Sequence, residues 1–437
     1  MGARETAFGT LAACRRQGGW SNAVLKDTIR KEKLDGREAA LATRLVYGVV
    51  QNRGRLDFYL KQLLKGRLKD LHPATRDILH LGLYQIYDLD RIPDSAAVNE
   101  AVVLAKKHVP KSQVGLVNGV LRSAVRTKGS LQEPTSYEDK YSHPAELVSL
   151  LKANVPKGML ESILQADNAA PDTVIQVNTT KTDTDSLVKL LKDQGIEAQP
   201  HSWMPDCLVL SGTGNLETLP AFRDGLFYVQ DPASRLSVRC AELPKDGNIR
   251  LLDCCSAPGG KSFAAAIAMG GKGTIFSRDV HPHKIALIEN GAKRLGLSNI
   301  QAGVQDASQF LPEWEETMDV VLVDAPCSGL GIIRKKPDIR YRDLESTKEL
   351  PGLQKAILWN QARYVKKGGV LMYSTCTILK RENEEVVEAF LADHPDFSLE
   401  KLHLPKVFPE NETGMLTLYP GQTDTDGFFI ARLRRKL

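Results

Sequence analysis

At 437 residues, 42% hydrophobic and 25% charged, the chain has the composition of an ordinary globular protein and material for about two to four domains. No apolar run approaches the roughly 20 residues of a membrane-spanning helix, which argues against an integral membrane role. The net charge of +5 hides an asymmetry: residues 1–135 hold 23 Lys and Arg against 13 Asp and Glu, so the N-terminal part is basic and a polyanion such as RNA is an expected partner.

In chain order, Met1 to Thr10 has neither the apolar core nor the cleavage site of a secretory signal, and a cytoplasmic location is expected. From there to about Arg126 apolar residues recur at helical spacing, as in Phe8, Leu11 and Ala12, in Leu41, Leu45 and Val46, and in Leu79, Leu83 and Ile86. Breaks at Gly18-Gly19, Pro73, Ile92-Pro93 and Pro110 predict an all-α domain of ordinary helices. Its Lys61, Lys65, Arg67, Lys69, Lys106, Lys107 and Lys111 are candidate phosphate contacts, as are Arg334-Lys335-Lys336 and Arg434-Arg435-Lys436, although for any one of them singly a solvated surface charge is the favoured reading. The polar stretch Thr127 to Ser142 reads as a linker.

A helix from Pro144 to Gln165, a strand Val174 to Val177, a helix Thr184 to Gln194 stopped by Gly195, and a strand Leu208 to Leu210 predict a small α+β unit. Beyond Arg223, short apolar strands such as Arg250-Leu251-Leu252, Thr274-Ile275-Phe276, Val320-Val321-Leu322-Val323 and Val370-Leu371-Met372-Tyr373 alternate with helices. That alternation predicts a parallel sheet covered on both faces.

The chemistry-bearing residues sit at the ends of these strands. The first runs into Asp253-Cys254-Cys255-Ser256-Ala257-Pro258-Gly259-Gly260-Lys261-Ser262, where glycines before a helix allow close approach of a ligand and leave amides free for an anionic group. A phosphate-binding Walker loop is a near miss, because Cys255 stands where its first glycine belongs. The dinucleotide fingerprint is absent, and a plain Gly-rich turn stays open. Asp279 ends the next strand, where a carboxylate can accept from ribose hydroxyls, and Asp306 follows the third, placed to accept from an exocyclic amine such as that of adenine. Cys327, in Asp324-Ala325-Pro326-Cys327-Ser328, and Cys376, in Ser374-Thr375-Cys376, follow the next two strands. With Cys14, Cys207, Cys240, Cys254 and Cys255 they form neither a disulfide framework nor a CxxC metal pair, so reduced thiols and no metal site are expected.

Together the motifs Asp253-x-Cys255-x-Ala257-Pro258-Gly259-Gly260-Lys261, Asp324-Ala325-Pro326-Cys327-Ser328 and Ser374-Thr375-Cys376 resemble the RNA 5-methylcytosine methyltransferases of the NOL1/NOP2/Sun type. Arg91-Ile92-Pro93, Val98-Asn99-Glu100-Ala101 and Leu116 to Arg122 resemble the NusB-type helical domain of bacterial members. Tyr228-Val229-Gln230-Asp231, Pro337-Asp338-Ile339-Arg340 and Asp426-Gly427-Phe428-Phe429 match as well. The resemblance implies a multidomain chain: an all-α NusB-like RNA-binding domain at 1–138, a small α+β RRM-like domain at 139–222, and an α/β Rossmann-like methyltransferase domain at 223–437.

It further implies S-adenosylmethionine as cofactor, held by Cys255 to Lys261 with Asp279, Asp306 and Asp324, and 16S ribosomal RNA as partner, at cytosine 967 in the usual bacterial numbering. Cys376 is implied as the nucleophile on C6, Cys327 as the thiol of the release step, Asp324 as the group that holds the base, and Lys261 as an electrostatic aid at the same face. The residues alone leave open which thiol attacks, and whether the RNA is a transfer RNA or another ribosomal RNA. They also leave a non-catalytic NusB-like RNA-binding factor as the rival class. Ser256 and Ser262 replace the usual Ala and Thr, and Gln176 stands where relatives often carry Arg, which removes a possible phosphate contact from the middle domain.

Overall fold

The structure, a computed structural model, describes residues 2–17, 21–245 and 247–437, so the break expected at Gly18-Gly19 lies outside the described residues. The chain divides into two compact units, residues 1–169 with 333–342, and residues 170–332 with 343–437.

The first unit is helical: Ala3–Gln17, Ser21–Glu32, Gly36–Leu63, Pro73–Asp88, Asp94–His108, Lys111–Arg126, Tyr137–Lys140, Ala145–Asn154 and Leu160–Ala166. Asp35 starts the 28-residue helix by accepting from the amides of Arg37 and Glu38 at 2.9 Å each. Leu45, Val46, Leu79, Leu83 and Ile86 are buried in one core, as their spacing predicts. The stretch read as a linker is instead packed. Its end forms the short helix Tyr137–Lys140, and Tyr141, Ser142 and His143 are buried, with Ser142 Oγ accepting from the Arg55 amide at 2.9 Å. The helix expected across Pro144 to Gln165 is two, because Pro156 and Gly158 interrupt it between Asn154 and Leu160.

Arg340, from the Pro337-to-Arg340 motif, is 1% exposed in this unit. Its guanidinium donates to the carbonyl oxygens of Gln51 at 2.7 Å and Asp167 at 3.3 Å, and to Asn168 Oδ1 at 2.9 Å. Replacing it strands several buried acceptors at once. Arg340→Ala is expected to destabilise the chain by about 3 kcal/mol, read from the urea midpoint by circular dichroism; a change under about 0.5 kcal/mol, the surface range, would remove this role.

Of the candidate phosphate contacts, Arg67 pairs with Asp70 and Lys107 with Glu5, whereas Lys61, Lys65, Lys69, Lys106 and Lys111 are exposed and form no ion pair among the described residues.

The second unit carries two sheets. The smaller comprises β1 (Thr173–Val177), β2 (Glu197–Pro200), β3 (Cys207–Ser211) and β4 (Phe227–Val229) in the order β2-β3-β1-β4, all antiparallel, with helix Thr184–Asp193 started by the Asp183 carboxylate. Gln176 points inward, 1% exposed, and donates to Cys207 Sγ at 3.2 Å and to the Gln230 carbonyl at 3.1 Å. Its side chain is therefore a core tie of this sheet, and the loss of a phosphate contact is not what the substitution means here.

The larger sheet comprises β5 (Arg250–Asp253), β6 (Thr274–Asp279), β7 (Ile300–Val304), β8 (Met318–Asp324), β9 (Val365–Thr375), β10 (Phe397–Leu399), β11 (Met415–Leu418) and β12 (Phe428–Arg435). Its order is β7-β6-β5-β8-β9-β12-β10, with β11 also on β12. From β7 to β9 it is parallel, and strands such as Val320-Val321-Leu322-Val323 are buried on both faces. The wholly parallel sheet expected from the alternation is mixed, because β12 returns antiparallel beside β9 and β10 and β11 pair with it in the same sense. Arg434 and Arg435 lie in β12 and pair with Glu400 and with Asp396 and Glu316, so they brace this edge.

The strand order reverses between β5 and β8, which places the loops after these two strands side by side at the carboxyl edge, where open α/β sheets bind ligands. Among the described residues no helix is long and apolar enough to cross a membrane, and no three His, Cys, Asp or Glu side chains gather as a metal site.

Candidate active site

At this switch point lies a cavity of about 240 Å³, lined among others by Asp253, Cys255, Ser256, Ala257, Pro258, Gly260, Lys261, Asp324 and Cys376. The sequence-selected residues of three strand ends thus share one space. Gly259, Cys327, Asp279 and Asp306 lie outside that lining. Asp279 borders it, since its Oδ2 accepts from the Ala257 amide at 3.3 Å and its Oδ1 from that of His281 at 3.0 Å. One oxygen of Asp306 takes both the amide and hydroxyl of Ser308, at 2.9 and 2.7 Å. A larger cavity of about 520 Å³ belongs to the first unit and contains none of the strand-end residues.

The loop after β5 turns at Gly259, whose φ of +112° and 2.4 Å approach of Phe263 to any added Cβ exclude other residues, and it delivers the chain into helix Gly260–Ala268. Lys261, only 8% exposed, leaves that helix to pair with Asp324 Oδ2 at 2.7 Å, to donate to Ser234 Oγ at 3.0 Å, and to lie over the Phe428 ring, 5.1 Å from its centre. Ser374 Oγ donates to Asp324 Oδ1 at 2.9 Å. Asp324 is therefore held at both oxygens.

Cys327 Sγ and Cys376 Sγ are 3.1 Å apart. The Cys327 thiol is pushed well up from the usual range, first by its hydrogen bond to Cys376, then by burial, with the carboxylates of Glu382 and Asp324 adding to it. Behind Cys376, its carbonyl accepts from the Gly331 amide at 3.0 Å, and the Gly331 carbonyl accepts from Gly427 at 2.7 Å. A Cβ on Gly331 would come within 2.1 Å of the Gly427 carbonyl oxygen. Backbone contact this close needs both glycines, which is the physical content of the Asp426-to-Phe429 match.

Sequence reasoning passed over Asp253 as anything but the head of a motif. It is fully buried and lines the cavity, Ser262 Oγ donates to its Oδ2 at 2.7 Å, and its Oδ1 has no partner. Burial raises its pKa from 3.8 to about 7. The folded chain holds this proton more tightly than the unfolded one, so the group's stabilising contribution is full below pH 3.8 and is lost as pH rises through about 7. Asp253→Asn is expected to remove that loss: the variant melts close to the native protein at acid pH and above it at pH 8, by up to about 4 kcal/mol of stability. A thermal melt series without added nucleoside tests this, and a pH-independent difference would contradict it.

Val229, Gln230, Asp231, Ser234, Ile332, Asp426 and Phe428 complete the wall. Asp231 caps helix Pro232–Arg239, accepting from the Ala233 amide at 2.9 Å. The sequence signal for Val229, Gln230, Asp231, Asp426 and Phe428 was the two short motifs that matched without a role, whereas Ser234 and Ile332 lie outside both.

Three family models match the chain. The description 16S rRNA methyltransferase RsmB/F matches residues 241–434, the NusB family residues 1–126, and the RsmF/B-like ferredoxin-like domain residues 143–217. The chain is 38% identical, over 99% of its own length and 98% of the relative's, to a probable ribosomal RNA small subunit methyltransferase B of Bacillus subtilis. It is 33% identical to ribosomal RNA small subunit methyltransferase B of Klebsiella pneumoniae, over 93% and 92% of the two chains. The crystal structure of PH0851 superposes with a TM-score of 0.79 at 28% identity, covering 95% of this chain and 94% of that one. Relatives this similar across nearly their whole length, with family models matching three successive parts of the chain, establish that the chain belongs to the RsmB/F family of 16S ribosomal RNA methyltransferases.

Proposed function

We propose that this chain methylates C5 of a cytosine in 16S ribosomal RNA, with S-adenosylmethionine as donor and a transient bond from Cys376 to C6 of the base. The observation that carries the reading is the pair of sulfurs 3.1 Å apart, one of them in the wall of a cavity that also holds Asp324 and the glycine loop.

The donor supplies an electrophilic methyl group next to cationic sulfur. The cavity suits such a molecule: the side chains of Asp231, Asp324 and Asp426 line it, Asp253 Oδ1 is an unused buried acceptor, and the amides at the start of helix Gly260–Ala268 suit a carboxylate. Ser256, Ala257, Pro258, Gly260 and Lys261 would hold it, with Cys255 beside them. Asp279 is the proposed acceptor for ribose hydroxyls, and Asp306, through its second oxygen, for the adenine amine.

Cytosine C5 is a weak nucleophile, so a sulfur must add at C6 first, which pushes the C5–C6 electron pair toward C5. Cys376 does this. Asp324, fixed by Lys261 and Ser374, holds the base by its exocyclic amine, and the Lys261 charge supports the electron-rich ring. For release the C5 proton goes to a base, the C5–C6 double bond re-forms, and the C6–S pair returns to Cys376. Cys327 suits that step as its thiolate: its own proton passes to water before release, the sulfur then takes the C5 proton, and the causes that hold its pKa up make that thiolate a strong base. The base must be approached face-on, so an unpaired nucleotide is the expected target, with cytosine 967 the position the family resemblance implies.

A three-domain division at 1–138, 139–222 and 223–437 is supported by the matched ranges, and a phosphate-binding role for Lys61, Lys65, Lys69, Lys106 and Lys111 by their exposure without an ion pair among the described residues. A cytoplasmic site of action follows from the proposed substrate. The test is transfer of labelled methyl to unmodified 16S RNA followed by mapping. Label on C5 of one unpaired cytosine is the expected result, and cofactor binding with no transfer to 16S RNA would overturn the choice of substrate.

A further inference from the structure

Behind the thiols, Glu382 and Asn383 close the turn before helix Glu384–Asp393, and both are fully buried. Glu382 Oε2 accepts from the Ser328 amide at 2.8 Å and from Gln354 Nε2 at 2.9 Å, and the same Gln354 nitrogen donates to the Pro326 carbonyl at 3.0 Å. The two neighbours of Cys327 are thus tied to one carboxylate, Ser328 directly and Pro326 through Gln354.

Asn383 does the same for the other loop. Its Oδ1 accepts from Thr375 Oγ1 at 2.6 Å and its Nδ2 donates to the Thr377 carbonyl at 3.0 Å, so the two neighbours of Cys376 are tied to one amide. The loops are also joined directly, Ser328 Oγ to Thr377 Oγ1 at 2.8 Å, and Tyr373 anchors the turn by donating to the Glu382 carbonyl at 2.6 Å.

We propose that Glu382 and Asn383 are the positioning residues of the reaction, Asn383 setting Cys376 for attack and Glu382 setting Cys327 for release. Packing alone does not account for Glu382. Burying a carboxylate is costly, its Oε1 is left without a partner, and a neutral amide of the same shape has the oxygen needed to accept from Ser328. What the amide lacks is the negative charge beside Cys327, one of the causes that keep the proton on that thiol. The inference rests on the thiol roles proposed above.

The test uses the full chain and the near-isosteric variants Glu382→Gln and Asn383→Asp, with Glu382→Ala and Asn383→Ala as the more severe pair. Variants are first checked for a native melting temperature and native affinity for S-adenosylmethionine. Without RNA, iodoacetamide alkylation is followed by mass at each cysteine against pH. Glu382→Gln is expected to move the Cys327 midpoint to lower pH with its plateau rate unchanged, and Asn383→Asp to change the plateau at Cys376, while Cys254 and Cys255 stay as in the native chain.

With RNA, single turnovers separate attack from release. Glu382→Ala, which leaves the Ser328 amide and Gln354 without their acceptor, is expected to slow release at least about tenfold and leave attack within about threefold, and Asn383→Asp the reverse, since an ångström of misplacement costs up to roughly a hundredfold. A Cys327 midpoint unmoved in Glu382→Gln, or variants that slow both steps equally or alter only the KM for RNA, would overturn the proposal. Failure of the native chain to form any RNA adduct would instead defeat the functional reading, and the alkylation profiles, which need no RNA, distinguish the two.

Discussion

In Cys376→Ala, methyl transfer to RNA is expected to fall by about four orders of magnitude or more, while affinity for S-adenosylmethionine changes by no more than about twofold. The size follows from the chemistry: without a sulfur on C6 the ring has no route to a nucleophilic C5, and binding energy alone does not supply one. Cys327, 3.1 Å away, is no substitute, because its thiol holds its proton and its loop is fixed at both neighbours by Glu382 and Gln354. Initial rates of label incorporation with saturating RNA measure this. A loss of less than about tenfold would mean that Cys376 is not the attacking sulfur.

Cys327→Ala is expected to show the opposite fault. Attack and methyl transfer proceed once, the C5 proton finds no base at the right place, and protein accumulates bonded to RNA. With RNA and cofactor in excess, most of the variant should migrate as an adduct under denaturing conditions, with turnover limited to about one methyl per chain. The double variant Cys327→Ala, Cys376→Ala should form none. Multiple turnover by Cys327→Ala at near-native rate would show that the base is another group or water.

Much of this organisation was legible in the sequence for a simple reason: strands buried on both faces read as short, continuous apolar runs, and the loops at their carboxyl ends stand at the same edge of the sheet. Asp253-to-Ser262, Asp324-to-Ser328 and Ser374-to-Cys376 could therefore be placed together from the order of residues alone, and each contributes at least one residue to one cavity. The antiparallel return of β12 was not legible, since Phe428 to Leu433 is as apolar as a parallel strand and direction leaves no mark in composition. Polarity misled in two places. Tyr141 to His143 looks like the end of a linker but is buried through hydrogen bonds that only the fold supplies, and Gln176 looks like a surface position yet ties β1 to β3 from inside.

Arg340, Glu382 and Asn383 show the same limit from the functional side. Charged or polar residues between elements read as solvated, and only three-dimensional structure reveals that Arg340 gathers acceptors from residues 51, 167 and 168, or that adjacent Glu382 and Asn383 reach different cysteine loops. Partners far apart in sequence carry no periodic signal. Asp306 marks a further boundary: a strand end supplies proximity to the crevice, but the Ser308 amide and hydroxyl take up one of its oxygens, a competition that spacing does not disclose.

Attack by Cys376 requires that this sulfur carry the base, and the mass of the trapped species reads that bond without an intermediary. The adduct from Cys327→Ala, digested with protease and nuclease, should yield one modified peptide, the one containing Ser374-Thr375-Cys376, with a C5-methylated cytidine nucleotide on the cysteine. A nucleotide on Cys254 or Cys255, or an adduct lacking the methyl group, would contradict this chemistry.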